Sequence, residues 1–199
     1  MKKFFCLLLI SCFLVSNAQD KTFETAKEFQ DNLNLDYANK EKSPLMEEDL
    51  KNFKALDFFP INDKFIVEAT FVRTKKEKVF KMKTSTERLP LYKKYGELHF
   101  KIDGVDCKLN VYQNIDLIKK PGFEDYLFLP FSDLTSGKES YIGGRYVDLR
   151  IPKGKIWTID FNKAYNPYCA YNHKYSCPIV PLENDLSVEI LAGVKKFHD

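Results

Sequence analysis

An Asp-Gly pair, Asp103-Gly104, flanked by alternating apolar and polar residues, is the strongest structural signal in the chain. Asp-Gly favours a two-residue hairpin turn because both central positions need a positive φ. A turn here fixes the strand register and places six residues on one face: Ile102 opposite Val105, Phe100 opposite Cys107, and Leu98 opposite Leu109. The other face pairs Lys101 with Asp106, His99 with Lys108, and Glu97 with Asn110. Cys107 is thus predicted to be a buried thiol, and His99 to face solvent.

The same period-two alternation begins at Phe65 and recurs in short runs separated by Gly and Pro turns. The runs predict strands at 65–72, 79–84, 97–102, 105–112, 126–130, 146–151, 155–161 and 186–192. We therefore expect a mainly β fold, an antiparallel β-sandwich or barrel-like domain over residues 61–199. A helical segment over residues 19–60 precedes it, with Ser43 and Pro44 opening its second helix.

Residues 1–18, MKKFFCLLLISCFLVSNA, have the layout of a secretory signal peptide. Lys2 and Lys3 precede a short uncharged run, and Ala18 suits the cleavage position. The chain is therefore predicted to be exported, to the periplasm or beyond the cell, with no stable membrane span because the run is too short. A lipoprotein modified at Cys12 is the alternative, but the apolar residues after Cys12 disfavour it.

The charge balance argues against a nucleic-acid partner, since 31 basic residues stand against 28 acidic ones and two of the lysines belong to the signal. The sequence contains no nucleophile elbow, HExxH pair, phosphate-binding loop or dinucleotide fingerprint. The three histidines are scattered along the chain. We therefore predict neither a metal nor a cofactor, and the sequence leaves the oligomeric state open.

Cys169 and Cys177 are separated by seven residues, a spacing that a hairpin loop can close into a disulfide. A disulfide is the first expectation for an exported protein. Three alternatives remain: a metal site that also uses His173, a nucleophilic Cys169, and two free structural thiols.

Three blocks rich in polar and aromatic residues stand out: FSDLTSGKESYIGGR at 131–145, DFNKAYNPYCAY at 160–171, and CPIVPLEN at 177–184. With these blocks the chain resembles the exported bacterial family known only as domain of unknown function one-six-eight-four. It departs from the family pattern at Val194, where glutamate is common. The resemblance implies a site region but carries no reaction.

The polar side chains of these blocks are the candidate ligand-binding residues. Arg145 follows two glycines, and Asp160 and Asn162 are two apart on a predicted strand, so their side chains point the same way. A guanidinium near Asp133, Asp160 or Glu183 suits a carboxylate, a phosphate or a sugar edge. The full set is Asp133, Thr135, Tyr141, Arg145, Asp160, Asn162, Tyr165, Asn166, Glu183 and Asn184.

We therefore expect a small polar or anionic ligand in a pocket formed by the loops at 131–145 and 160–184. One alternative is a hydrolase that uses Asp160 or Glu183 as base and Arg145 as electrostatic clamp. The other is a structural envelope protein in which the polar set holds the fold together through buried hydrogen bonds.

Overall fold

The protein, a computed structural model that describes residues 24–152, 154 and 156–198, forms a mainly antiparallel sheet curved into a nearly closed barrel. The expected mainly β fold with an N-terminal helical segment is thus confirmed. The predicted signal peptide and Cys12 lie outside the described residues. The described strands are β1 (Ile66–Arg73), β2 (Phe80–Lys81), β3 (Leu91–Ile102), β4 (Val105–Asn114), β5 (Tyr126–Phe131), β6 (Arg145–Arg150) and β7 (Trp157–Asp160).

The strands follow the order β6-β5-β4-β3-β1-β7, and the short β2 pairs with β3. The two ends of this sheet approach each other just after β7. There Tyr146 of β6 exchanges two backbone hydrogen bonds with Tyr165, with N···O distances of 2.9 and 3.0 Å. This bridge brings the loop after β7 against β6, the strand at the opposite end of the sheet.

The hairpin at Asp103-Gly104 has the predicted register at all six pairs, from Ile102 opposite Val105 to Glu97 opposite Asn110. Both turn residues have a positive φ, 50° at Asp103 and 79° at Gly104. Two side chains differ from the prediction in their burial. Val105 is exposed beside the turn, whereas Asn110 is buried, because Asn184 packs over it and binds its backbone.

Two α-helices precede the barrel, α1 (Ala26–Ala38) and α2 (Glu47–Asn52). A capping box begins α1: the Glu28 amide donates to the Thr25 hydroxyl at 3.2 Å, and the Glu28 carboxylate accepts from the Thr25 amide at 2.8 Å. The second helix starts later than predicted. Ser43 accepts a hydrogen bond from the Leu45 amide in a local turn, and Met46 takes the N-cap position.

The structure shortens or removes two of the predicted strands. The run at 79–84 forms a strand only at Phe80–Lys81, and 186–192 forms none. The second run instead shares backbone hydrogen bonds with the loop before β6: the Leu186 amide donates to the Ser132 carbonyl, and the Leu134 amide donates to the Val188 carbonyl. Alternating apolar residues there reflect a loop with one buried side, and Ile190 and Ala192 are fully buried.

Two apolar clusters hold the parts together. The barrel interior is filled from every strand except β2, with Leu98, Leu109, Leu127, Leu129 and Ile159 completely inaccessible. A second cluster joins the N-terminal segment to the C-terminal loops through Tyr37, Leu45, Leu56, Tyr171 and Val194. None of the helices in the described part of the chain is long and apolar enough to span a membrane.

Candidate functional site

The two loop regions meet at one cavity of about 380 Å³. The loop before β6 forms one wall, and the short 3-10 helix at Tyr168–Ala170 with the residues after it forms the other. Met46 and the C-terminal segment complete the cavity. Its described lining residues are Met46, Gly137, Ser140, Tyr141, Ile142, Cys169, Ala170, Tyr171, His173, Lys196 and His198.

The titratable lining of the cavity is mainly basic. Lys196, His173 and His198 line it, whereas no carboxylate is among its described lining residues. A more open hollow of about 330 Å³ beside α2 has the opposite character, since Glu48 and Asp49 line it. The Nε2 atom of His198 lies 3.3 Å from a carboxylate oxygen of Asp49, so this cavity residue also contacts α2.

Local hydrogen bonds shape the wall before β6. The Ser140 amide donates to the Thr135 carbonyl, and the two hydroxyls of these residues lie 2.7 Å apart. Gly144 lets the chain pass close to β5: its φ is +80°, and a Cβ there would lie 2.5 Å from the Phe131 carbonyl oxygen. The wall is therefore a defined loop that presents Tyr141 to the cavity.

Arg145 is completely buried behind this wall and does not line the cavity. Its guanidinium binds the Asp133 carboxylate at 2.7 Å, and both side chains have zero exposure. The same group donates to the backbone carbonyls of Ile190, Ala192 and Val194. Burial lowers the pKa of Arg145, and the ion pair with Asp133 opposes this. Arg145 therefore fastens the C-terminal loop to the barrel.

Asp160 and Asn162 lie at another place and also bind protein groups. The Asp160 carboxylate accepts from the Asn162 amide at 3.0 Å. The Asn162 side chain in turn accepts from the Asn62 amide at 3.0 Å and donates to the Asn62 carbonyl at 3.1 Å. Gln30 of α1 donates to the Asn162 carbonyl. This pair attaches the N-terminal segment to the end of β7.

Of three further predicted site residues, two are buried and bind backbone groups, and one is exposed. Asn184 is buried, and its side chain makes three hydrogen bonds, to both backbone groups of Asn110 and to the Pro130 carbonyl. Asn166 is buried and donates to the Lys195 carbonyl, whereas Glu183 is exposed. Of the ten predicted ligand-binding residues, only Tyr141 lines the cavity. A cavity therefore lies between the two loops, but nine of the ten predicted residues do not line it.

The predicted disulfide between Cys169 and Cys177 is not formed in the structure, where Cys107, Cys169 and Cys177 are free. The two thiols are nevertheless neighbours, since the Cys169 amide donates to the Cys177 sulfur at 3.1 Å. Cys169 lines the cavity and is half-buried, whereas Cys177 is buried.

A second polar centre on the outer face of β5 and β6 contains the predicted residue Tyr165 together with Asp148 and Tyr126, which the sequence did not single out. The hydroxyls of Tyr126 and Tyr165 both donate to one carboxylate oxygen of Asp148, each at 2.7 Å. The surrounding protein raises the pKa of Asp148, and the two tyrosine hydrogen bonds oppose this. The side chain still reaches solvent. Aromatic residues cover the adjoining sheet face: Tyr92, Tyr112, Phe128 and Tyr146.

The sequence contains little that would identify Asp148 or the basic cavity residues as functional. Alternation along β6 puts Asp148 on the same face as Tyr146, but an exposed aspartate on a strand is ordinary. His173, Lys196 and His198 share no motif. They meet only because the C-terminal segment folds back over the loop, with the Lys196 amide donating to the Glu139 carbonyl at 2.9 Å.

The comparisons with known proteins give a family and a similar solved structure, and they name no ligand. A family model described as "Protein of unknown function (DUF1684)" matches residues 51–195. The chain is also similar to the solution NMR structure of an uncharacterized protein from gene locus rrnAC0354 of Haloarcula marismortui. The two chains are 31% identical with a TM-score of 0.67, and the match covers 85% of this chain and 91% of the other. A search of the curated proteins found no match.

Proposed function

This chain belongs to the protein family of unknown function DUF1684, and we propose that it binds a small anionic ligand in the cavity between its two polar loops. The observation that carries the proposal is the lining of that cavity, where three basic side chains meet and no described lining residue is acidic. A volume of about 380 Å³ suits a small molecule.

Lys196 supplies the positive charge, and the imidazoles of His173 and His198 supply ring nitrogens, the groups that bind carboxylate and phosphate oxygens. The His198 Nε2 is shared with the Asp49 carboxylate at 3.3 Å. Tyr141, Tyr171 and Ile142 add apolar walls, which favour a ligand with a carbon skeleton over a bare ion. Because Arg145 and Asp160 bind protein groups and neither lines the cavity, the hydrolase alternative lacks its clamp and one of its bases at this place.

The experiment measures the melting temperature of the purified protein with succinate, with inorganic phosphate, and with choline as a cationic control. Binding to the native state raises the melting temperature, so we expect a rise with at least one anion and none with choline. Lys196→Gln should weaken anion binding about tenfold, or ~1.4 kcal/mol.

Lys195→Gln is the matched control, because Lys195 pairs with Asp57 at 3.0 Å and does not line the cavity. This variant should bind the anion like the parent. The proposal is wrong if neither anion shifts the melting temperature, or if both lysine variants weaken binding equally.

A further inference from the structure

Cys169 and Cys177 differ in access to the cavity. Cys169 forms part of the cavity wall, and Cys177 lies behind it, buried. The Cys177 side chain is held against the Cys169 backbone, since the Cys169 amide donates to the Cys177 sulfur at 3.1 Å. The Cys177 backbone is in turn positioned by Ser85, whose hydroxyl accepts from the Cys177 amide at 3.1 Å. A reagent in the cavity thus meets one sulfur first and finds the second directly behind it.

The surroundings favour an ionised Cys169. Hydrogen bonds from Cys177, Ser85 and Tyr141 lower the pKa of the Cys169 thiol to about 6, with that from Cys177 the largest influence, while burial opposes them. The same shared hydrogen bond raises the pKa of Cys177. The pair titrates as a unit, and Cys169 is its member at the cavity wall. A thiolate with a pKa close to neutral pH is well suited to attack a disulfide.

Other titratable and charged groups face the pair from several elements. Four tyrosines lie near the pair: Tyr37, Tyr141, Tyr146 and Tyr168. Arg88 lies near Cys177. The basic residues of the cavity lining are His173, Lys196 and His198. No carboxylate is among the groups that the described contacts place beside Cys169 or in the cavity lining. Of the described lining residues, Lys196 carries a positive charge, which favours the thiolate.

We propose that Cys169 and Cys177 form a reversible dithiol–disulfide pair that exchanges with small disulfides entering the cavity, with Cys169 as the attacking sulfur and Cys177 as the resolving one. The inference uses the same cavity as the proposed function but does not depend on an anionic ligand.

The exchange takes place in two steps. The Cys169 thiolate attacks one sulfur of R–S–S–R, a Cys169–S–S–R bond forms, and one RS⁻ leaves with the electron pair of the broken bond. Cys177 then attacks the Cys169 sulfur, its proton passes to the departing thiolate, and the second RS group leaves. The cysteine pair is oxidised by two electrons, and the small disulfide is reduced to two thiols.

Cys107 is an internal control for a thiol outside the pair. It lies in the barrel interior with 7% exposure, and burial raises its pKa. It donates weakly to the Val105 carbonyl and lies in the apolar barrel cluster. Any modification specific to the proposed site must therefore spare Cys107.

The first experiment uses the folded wild-type protein and hydroxyethyl disulfide, a small neutral disulfide, followed by peptide mapping. We expect a Cys169–Cys177 disulfide that dithiothreitol reverses, with Cys107 unmodified. In Cys177→Ser the mixed disulfide on Cys169 should accumulate, and in Cys169→Ser neither product should form. Cys107→Ser should behave like the wild type.

The second measurement is the rate of alkylation by iodoacetamide against pH. Cys169 should react at pH 7 about tenfold faster than Cys107, and its rate should level off just above pH 6. Modification of Cys107 at the same rate, or failure of the wild-type protein to form the intramolecular disulfide, would overturn the proposal. Because the probe is neutral, exchange without anion binding would count against the proposed ligand alone.

Discussion

At the scale of single residues, the main finding is an ion pair with no access to water. Arg145 and Asp133 lie completely buried at 2.7 Å, and the guanidinium also binds three carbonyls of the C-terminal loop. A buried pair is costly to desolvate, and removal of one partner leaves an uncompensated charge. The same two residues that suggest an anion clamp in the sequence therefore act inside the fold.

Replacement of Arg145 by methionine should destabilise the protein by ~3–5 kcal/mol, because it leaves Asp133 buried without its partner. Urea unfolding followed by circular dichroism measures the loss. Lys101→Met is the control, since Lys101 forms an exposed pair with Asp106, and its free energy of unfolding should hardly change. A stable Arg145→Met protein would show that the pair contributes little.

At the scale of elements, the β3–β4 hairpin has its register set by its turn. The turn needs two residues in the left-handed region, and Gly104 adopts it with a φ of +79° and no atom near the position of a Cβ. Any effect of a side chain at Gly104 is therefore one of backbone conformation rather than of contact.

Gly104→Ala should lower the free energy of unfolding by ~1–2 kcal/mol, the cost of the left-handed conformation for a residue with a Cβ. Thermal and urea unfolding measure it. Gly104→Asn is the comparison, because asparagine tolerates the left-handed conformation better than alanine does, so it should lose less stability. Equal effects of the two changes would contradict this account of the turn.

At the scale of the whole molecule, an apolar cluster joins the N-terminal segment to the loops that follow the barrel strands. Tyr37, Leu45 and Leu56 pack with Tyr171 and Val194, and the ring centroids of Tyr37 and Tyr171 are 4.9 Å apart. Val194, which departs from the resembled family pattern, is buried in this cluster with 1% exposure. Since Tyr171 lines the cavity, the segment also supports the candidate site.

A chain that begins at Ile61 should lose at least ~10 °C in melting temperature, or fail to fold, because it lacks the three apolar side chains that cover this cluster. A chain that begins at Gln19, the residue after the predicted cleavage position, is the control and should fold. Differential scanning calorimetry compares the two. An unchanged melting temperature of the shorter chain would mean that the barrel is stable without its helices.

The sequence alone determined the local features: the mainly β fold, the hairpin register around Asp103-Gly104, and the helical segment before the barrel. These follow from turn chemistry and side-chain periodicity, which act between near neighbours. The tertiary structure decided which distant side chains meet. It paired Arg145 with Asp133, placed two tyrosines on Asp148, and brought Lys196 to the cavity with Cys169. Those contacts depend on how the barrel closes and how the C-terminal loop folds back, and no periodicity in the chain encodes them.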